Sequence, residues 1–119
     1  MMTAWLMAAM ALAADPQAEV ASKAARAEAC LVQIESLIVE ASQETGRVAG
    51  PSWFIRDWWI ARLAEPGQPG ALSEVARRQA VADVPARKEA DPEAFAAERR
   101  SCINEAIDAG AVPGMGGEA

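Results

Sequence analysis

A long, regular stripe of apolar residues in the first third of the chain constrains the fold more than any other sequence feature. The stripe advances by alternating steps of four and three residues, through Val20, Ala24, Ala27, Leu31, Ile34, Ile38 and Ala41. This heptad spacing is typical of a long helix that packs against neighbouring helices at a shallow angle. Asp15 and Pro16 provide an N-cap and a first helical residue, and Gly46 provides an end. We therefore predict a helix over residues 16–45.

Capping residues and helix breakers in the rest of the chain indicate three further helices. Their predicted ranges are about 53–64, 71–83 and 92–109. Ser52 and Asp91 act as N-caps for the first and last of these, Ser73 is an alternative cap for the middle one, and Pro85 predicts a break. No segment shows the alternation of apolar and polar residues that is typical of a β-strand. The sequence predicts an all-α fold.

The length of 119 residues is enough for one small domain, which we place at residues 15–109. Helices joined by short loops alternate in direction, so we expect an up-and-down arrangement of four helices with the first and last antiparallel. The glycine-rich segment 110–119 offers little to bury, and we expect it to form a flexible tail.

The two cysteines, Cys30 and Cys102, fall in the first and last predicted helices and match no redox or zinc spacing. We predict that they form one disulfide, which would join these two helices; the alternative is a pair of buried free thiols. With the helices antiparallel, the bridge would bring Leu37 close to Phe95, and Phe95 would be buried.

Residues 1–14, MMTAWLMAAMALAA, are uncharged and end in small residues. Such a segment is typical of a secretory signal, although it has no basic residue at its start, and it is shorter than the roughly 20 apolar residues that span a bilayer. The alternative is an apolar N-terminal helix packed on the domain. We predict a protein exported to the periplasm or secreted, cleaved after about Ala14, and without stable membrane insertion after cleavage.

The composition excludes several classes of function. The chain has no histidine and no tyrosine, so it lacks the commonest general base, the imidazole metal ligand and the Ser-His-Asp triad. Its net charge of −6 argues against binding to nucleic acid or to anionic membranes. Four glutamates flank the apolar stripes, where solvated residues normally lie: Glu28, Glu35, Glu98 and Glu105. We therefore expect no metal, no cofactor and no enzymatic activity.

One segment contains more large aromatic residues than a small fold needs for its core. Residues 51–63, PSWFIRDWWIARL, contain three of the four tryptophans. Adjacent residues on a helix point about 100° apart, so we expect one of the neighbouring pair Trp58 and Trp59 to lie deep and the other at an edge. The simpler interpretation is that the whole cluster forms core. The candidate binding surface comprises Trp53, Phe54, Arg56, Trp58, Trp59 and Arg62.

Three hypotheses of function follow from this segment. The first is a binding module that contacts another protein through the tryptophan-rich second helix, since tryptophan and arginine dominate the energetics of interfaces. The second is a carrier of a small apolar ligand in a pocket lined by the same helix. The third is an enzyme of unfamiliar type. A flat, exposed apolar patch favours the first hypothesis, and an enclosed apolar cavity favours the second.

Overall fold

The computed structural model describes residues 15–115, and every regular element in that range is a helix. In chain order the helices are α1 (Pro16–Thr45), α2 (Gly50–Ile60), α3 (Glu74–Ala82), α4 (Val84–Ala90) and α5 (Pro92–Asp108). The predicted all-α class is confirmed. The predicted signal segment, residues 1–14, lies outside the described residues, as do residues 116–119.

Helix α1 has the bounds that its caps predict. The Asp15 carboxylate accepts a hydrogen bond from the backbone N–H of Gln17 at 3.0 Å, and Pro16 is the first helical residue. At the other end Gly46 adopts a left-handed conformation, with φ of 71°, and its N–H donates to the carbonyl of Ser42. Glycine adopts positive φ without steric cost, which is why the helix ends there.

Residues 15–115 form five helices where four were expected, because the break at Pro85 starts a new helix. Asp83 ends α3 and precedes α4, and Pro85 occupies the first turn of α4, where the N–H that proline lacks has no helical partner. Val84, the first residue of α4, is buried. The extra helix therefore contributes to the core.

Helix α2 begins and ends earlier than the capping pattern suggested. Its N-cap is Ala49, not Ser52, since Pro51 fits the first turn of the helix. Beyond Ile60 the chain continues in tighter turns, in which the N–H groups of Arg62 and Leu63 donate to carbonyls three residues earlier. Ser73, the alternative N-cap that the sequence offered for α3, is the cap in the structure, because its hydroxyl accepts a hydrogen bond from the N–H of Ala76.

The first and last helices are antiparallel. The Cys30–Cys102 disulfide is present, with its α-carbons 5.3 Å apart, and both residues are completely buried. Before the bridge on α1, Arg26 pairs with Glu105; after it, Gln33 donates to Glu98. Residue numbers thus rise along α1 as they fall along α5.

The main core lies around the disulfide, between α1, α2 and α5. Its buried members are Ala27, Cys30, Leu31, Ile34, Ile55, Trp59, Cys102, Ala106 and Val112. The heptad stripe supplies Ala27, Leu31 and Ile34 to this core, as expected, although Val20 at its start is exposed. Val112 is a correction, since the glycine-rich segment that begins at residue 110 was expected to bury almost nothing.

A second, smaller core lies where α4 meets α1 and α5. Phe95 is buried there, as predicted, but its buried neighbours are Val32 and Val84; the expected neighbour, Leu37, is not part of this cluster. The difference comes from α4, which was not predicted as a helix and which contributes Val84 to this cluster.

The disulfide should dominate the stability of this small domain. Replacing both Cys30 and Cys102 by alanine should lower the free energy of unfolding by about 4 kcal/mol, because the bridge constrains a loop of 72 residues in the unfolded chain. Urea unfolding followed by circular dichroism measures the loss. The reduced, unsubstituted protein is the matched control and should lose a similar amount. A loss below about 1 kcal/mol in both would contradict the prediction.

Candidate functional site

The two faces of α2 have opposite roles. Ile55 and Trp59 are buried and attach the helix to the main core. Trp53, Phe54 and Ile60 are 41%, 48% and 43% exposed. Helical spacing places these three with Asp57 on the side of α2 that faces away from Trp59. We call Trp53, Phe54, Asp57 and Ile60 the outer face of α2.

The neighbouring tryptophans divide as the sequence predicted. Trp59 is 2% exposed, and its indole N–H donates to the carbonyl of Cys102 at 3.1 Å. Trp58 is half-buried and meets the Trp59 ring edge to face, with the ring centroids 4.7 Å apart. Trp59 is therefore a core residue that fixes α2 against α5, and Trp58 lies at the edge of the core.

Arg56 of α2 and Arg62, two residues after the end of this helix, pack on tryptophan rings. The guanidinium of Arg62 lies 3.4 Å from the centroid of the Trp58 ring and donates to the Trp58 carbonyl at 2.8 Å. The guanidinium of Arg56 lies 5.0 Å from the Trp53 ring and pairs with Asp57. Of the six candidate residues, Trp53 and Phe54 belong to the outer face, and Arg56 lies beside it. Trp59 lies in the core, Trp58 lies at its edge, and Arg62 follows the end of the helix.

One apolar cavity, which is open to solvent, is not lined by α2. It has a volume of about 450 Å³ and lies between α1 and the segment that leads into α3. Ala29 and Val32 form its α1 side, and Gly70 and Leu72 lie opposite. Gly70 has φ of 89°, and a Cβ there would lie 2.6 Å from the Cβ of Ala24. Glycine is thus required for this close approach to α1.

A separate cleft of about 360 Å³ does involve α2. Its lining consists of Lys23, Arg26, Trp59, Arg62 and Glu105. We call these five residues the cationic cleft. Of these five, only Trp59 and Arg62 belong to the candidate binding surface that the sequence predicts. The other three come from α1 and α5, and no local pattern connects them to the tryptophan-rich segment.

Glu28 is buried, although its position beside the apolar stripe suggested a solvated residue. Its side chain forms a two-point ion pair with Arg77, with N–O distances of 2.8 and 3.0 Å, and accepts from the N–H of Leu72 at 2.9 Å. Burial by itself would raise the pKa of Glu28, but the hydrogen bonds from Arg77 and Leu72 outweigh it and hold that pKa below its ordinary value. The pair attaches α3 and the segment before it to α1.

A second polar cluster joins α1 to α4 and α5. Arg99 donates to Glu40 at 3.0 and 3.2 Å, to Gln33 at 3.0 Å and to Ser36 at 3.0 Å. Lys88 donates to the same Glu40 carboxylate at 2.7 Å. The hydrogen bond from Arg99, opposed by burial and supported by Lys88, lowers the pKa of Glu40. A sequence signal for this cluster exists in Arg99, since helical spacing places this charged residue on the same side of α5 as the buried Phe95 and Cys102.

Comparison with known proteins does not assign a function. No family model matches this chain, and no curated protein or solved structure shows significant similarity to it. Among the helices between residues 15 and 115, none combines the length and the hydrophobicity needed to span a bilayer. In the same range no three histidine, cysteine, aspartate or glutamate residues lie together as a metal site would require. The functional proposal therefore depends on the geometry of the domain.

The lowered pKa values of Glu28 and Glu40 predict loss of stability in acid. A carboxyl group with a lower pKa in the folded protein stabilises it above the ordinary pKa of 4.5, and this contribution disappears as the pH falls below that value. The free energy of unfolding should be constant near neutral pH and decrease below about pH 5. Urea unfolding between pH 7 and pH 3 measures it.

Glu40→Gln isolates the contribution of the Arg99 cluster. This variant should be less stable than the unsubstituted protein at pH 7. The difference should shrink as the pH falls, because protonation of Glu40 in the unsubstituted protein removes the same charge that the variant lacks. Glu44→Gln, at an exposed position on the same helix, is the matched control and should keep the original profile. A constant difference between Glu40→Gln and the unsubstituted protein across the range would refute this explanation.

Proposed function

We propose that this protein is a small exported helical module that binds another protein through the outer face of α2. The observation that carries the proposal is the exposure of Trp53, Phe54 and Ile60 on one side of a helix whose other side is anchored by Trp59. Large aromatic side chains left in solvent on a rigid element are typical of interaction surfaces and are not needed for the core.

The surroundings of the outer face favour a protein partner over a small ligand. The exposed rings lie on a convex helix, and none of them lines the apolar cavity or the cationic cleft. Arg56 and Asp57 place both charges beside the Trp53 ring, which resembles the polar rim around an apolar contact. The expected partner therefore presents an apolar patch to Trp53 and Phe54, with polar groups around it.

Anchoring makes this surface suitable for binding. The Trp59 hydrogen bond to Cys102 and the disulfide at the same residue hold α2 in place before any partner arrives. Less conformational entropy is then lost on association than with a flexible segment.

A second candidate function is the carriage of a small apolar ligand, and its support is the apolar lining of the open cavity of about 450 Å³. This cavity is lined by α1, α3, α4 and residues 70–72, so a carrier would not use the tryptophan-rich helix. An enzymatic role, the third hypothesis, gains no support from a particular arrangement of side chains, and we do not propose one.

Site-specific photo-crosslinking tests the proposed interface. A photoreactive phenylalanine analogue is placed at position 54, on the outer face, or at position 75, a control site on α3 where Val75 is also exposed. The protein is then irradiated in the cells that produce it. We expect a discrete adduct with a different protein from position 54 but not from position 75, and Trp53→Ala should reduce its yield several-fold.

Two results would overturn the proposal. Identical adducts from both positions would show that crosslinking follows exposure alone. An adduct from position 54 that contains only a second copy of this chain would assign the outer face to self-association.

Export is part of the proposal and has its own test. The apolar segment 1–14 and the buried disulfide both support it, since disulfides persist in oxidising compartments outside the cytosol. Intact-mass spectrometry of the exported protein should show removal of residues up to Ala13 or Ala14. Recovery of the chain only in the cytosol, with Met1 in place and the cysteines reduced, would contradict export.

A further inference from the structure

The cationic cleft concentrates positive charge in an acidic protein. Lys23 and Arg26 reach it from α1, Arg62 from the end of α2 and Glu105 from α5. Three cations and one carboxylate leave a local excess of two positive charges, in a chain whose net charge is −6. Such an excess around a concave site attracts small anions and raises their local concentration.

Among the three cations of the cleft, Arg26 forms an ion pair, with Glu105 of the cleft itself. Arg77, Arg87, Lys88 and Arg99 each pair with a carboxylate that lies on another helix. Within residues 15–115, Lys23 and Arg62 form no ion pair. Their charges at the cleft are therefore available to a ligand.

The two guanidinium groups of the cleft are held in position. Arg26 donates from Nε to Glu105 at 3.0 Å and from Nη2 to the Ser101 hydroxyl at 2.8 Å. Arg62 is held by its stacking on Trp58 and by the bond from its Nη1 to the Trp58 carbonyl. Since each group is fixed through only some of its N–H donors, donors remain for a ligand whose binding would cost little side-chain entropy.

We propose that the cationic cleft binds a small organic anion through a carboxylate or phosphate group. The planar N–H donors of arginine match the oxygens of both groups, and the exposed ammonium of Lys23 adds a third positive contact. A volume of about 360 Å³ accommodates a small metabolite but not a folded partner. Trp59, which lines the cleft, lies on the opposite side of α2 from the outer face, so this site is independent of the proposed protein interface.

Anion titrations followed by NMR test the site. The oxidised, ¹⁵N-labelled protein is titrated with sodium succinate and, separately, with sodium phosphate, with sodium chloride at equal ionic strength as the reference. We expect saturable shifts of the Trp59 indole N–H and of the Nε–H signals of Arg26 and Arg62 with at least one probe. Response to succinate alone assigns a carboxylate ligand, and response to phosphate alone assigns a phosphate ligand.

Charge-removing variants show whether the cleft itself binds the anion. Lys23→Gln and Arg62→Gln should each weaken binding about tenfold, as expected for loss of one charge-assisted contact. Arg47→Gln removes an equal charge at an exposed site outside the cleft and should leave the affinity unchanged. Lys23 makes no side-chain hydrogen bond within residues 15–115, so its variant tests the site even if loss of Arg62 loosens Trp58.

Two outcomes would overturn the inference. The first is shifts from succinate and phosphate no larger than those from chloride. The second is equal affinity in Lys23→Gln, Arg47→Gln and the unsubstituted protein, which would show that the anion follows net charge and not the cleft.

Discussion

One point in the core joins three helices, and the rest of the domain depends on it. The Cys30–Cys102 bridge holds α1 to α5, and the carbonyl of Cys102 accepts the indole N–H of Trp59 from α2. The bond to the backbone satisfies the polar atom of a large buried ring, which would otherwise be costly to remove from water. Ile55 and Val112 complete the apolar surroundings of this point. Without the disulfide, the Cys102 carbonyl that accepts from Trp59 of α2 would no longer be covalently linked to α1.

Charged pairs add to the contacts that hold α3 and α4 to α1, since these helices bury few apolar side chains. α3 has no buried residue, yet Arg77 on it pairs with the buried Glu28 of α1. α4 buries only Val84 and is also held by Lys88, which shares the Glu40 carboxylate with Arg99 of α5. A buried carboxylate is costly unless it is paired, so Glu28 favours the position of α3 in which Arg77 reaches it.

The two proposed binding regions follow from the anchoring of α2. Fixing Trp59 in the core turns Trp53 and Phe54 outward, because residues on opposite sides of a helix cannot both be buried by one neighbour. The same anchoring sets the end of α2 beside α1, where Arg62 meets Arg26 across the cleft. An apolar surface for a macromolecule and a charged cleft for a small anion thus share one rigid support.

Local signals were enough to predict the helical class, the bounds of α1, the disulfide and the division between Trp58 and Trp59. Spacing and caps act within one or two helical turns, and two cysteines allow only one pairing. The burial of Glu28, the role of Val112 and the composition of the cationic cleft required the packed structure. Spacing assigns a residue to a face of its own helix, but which residues cover that face depends on segments that are distant in the chain. Glu28 is buried because Arg77, 49 residues further along the chain, reaches it.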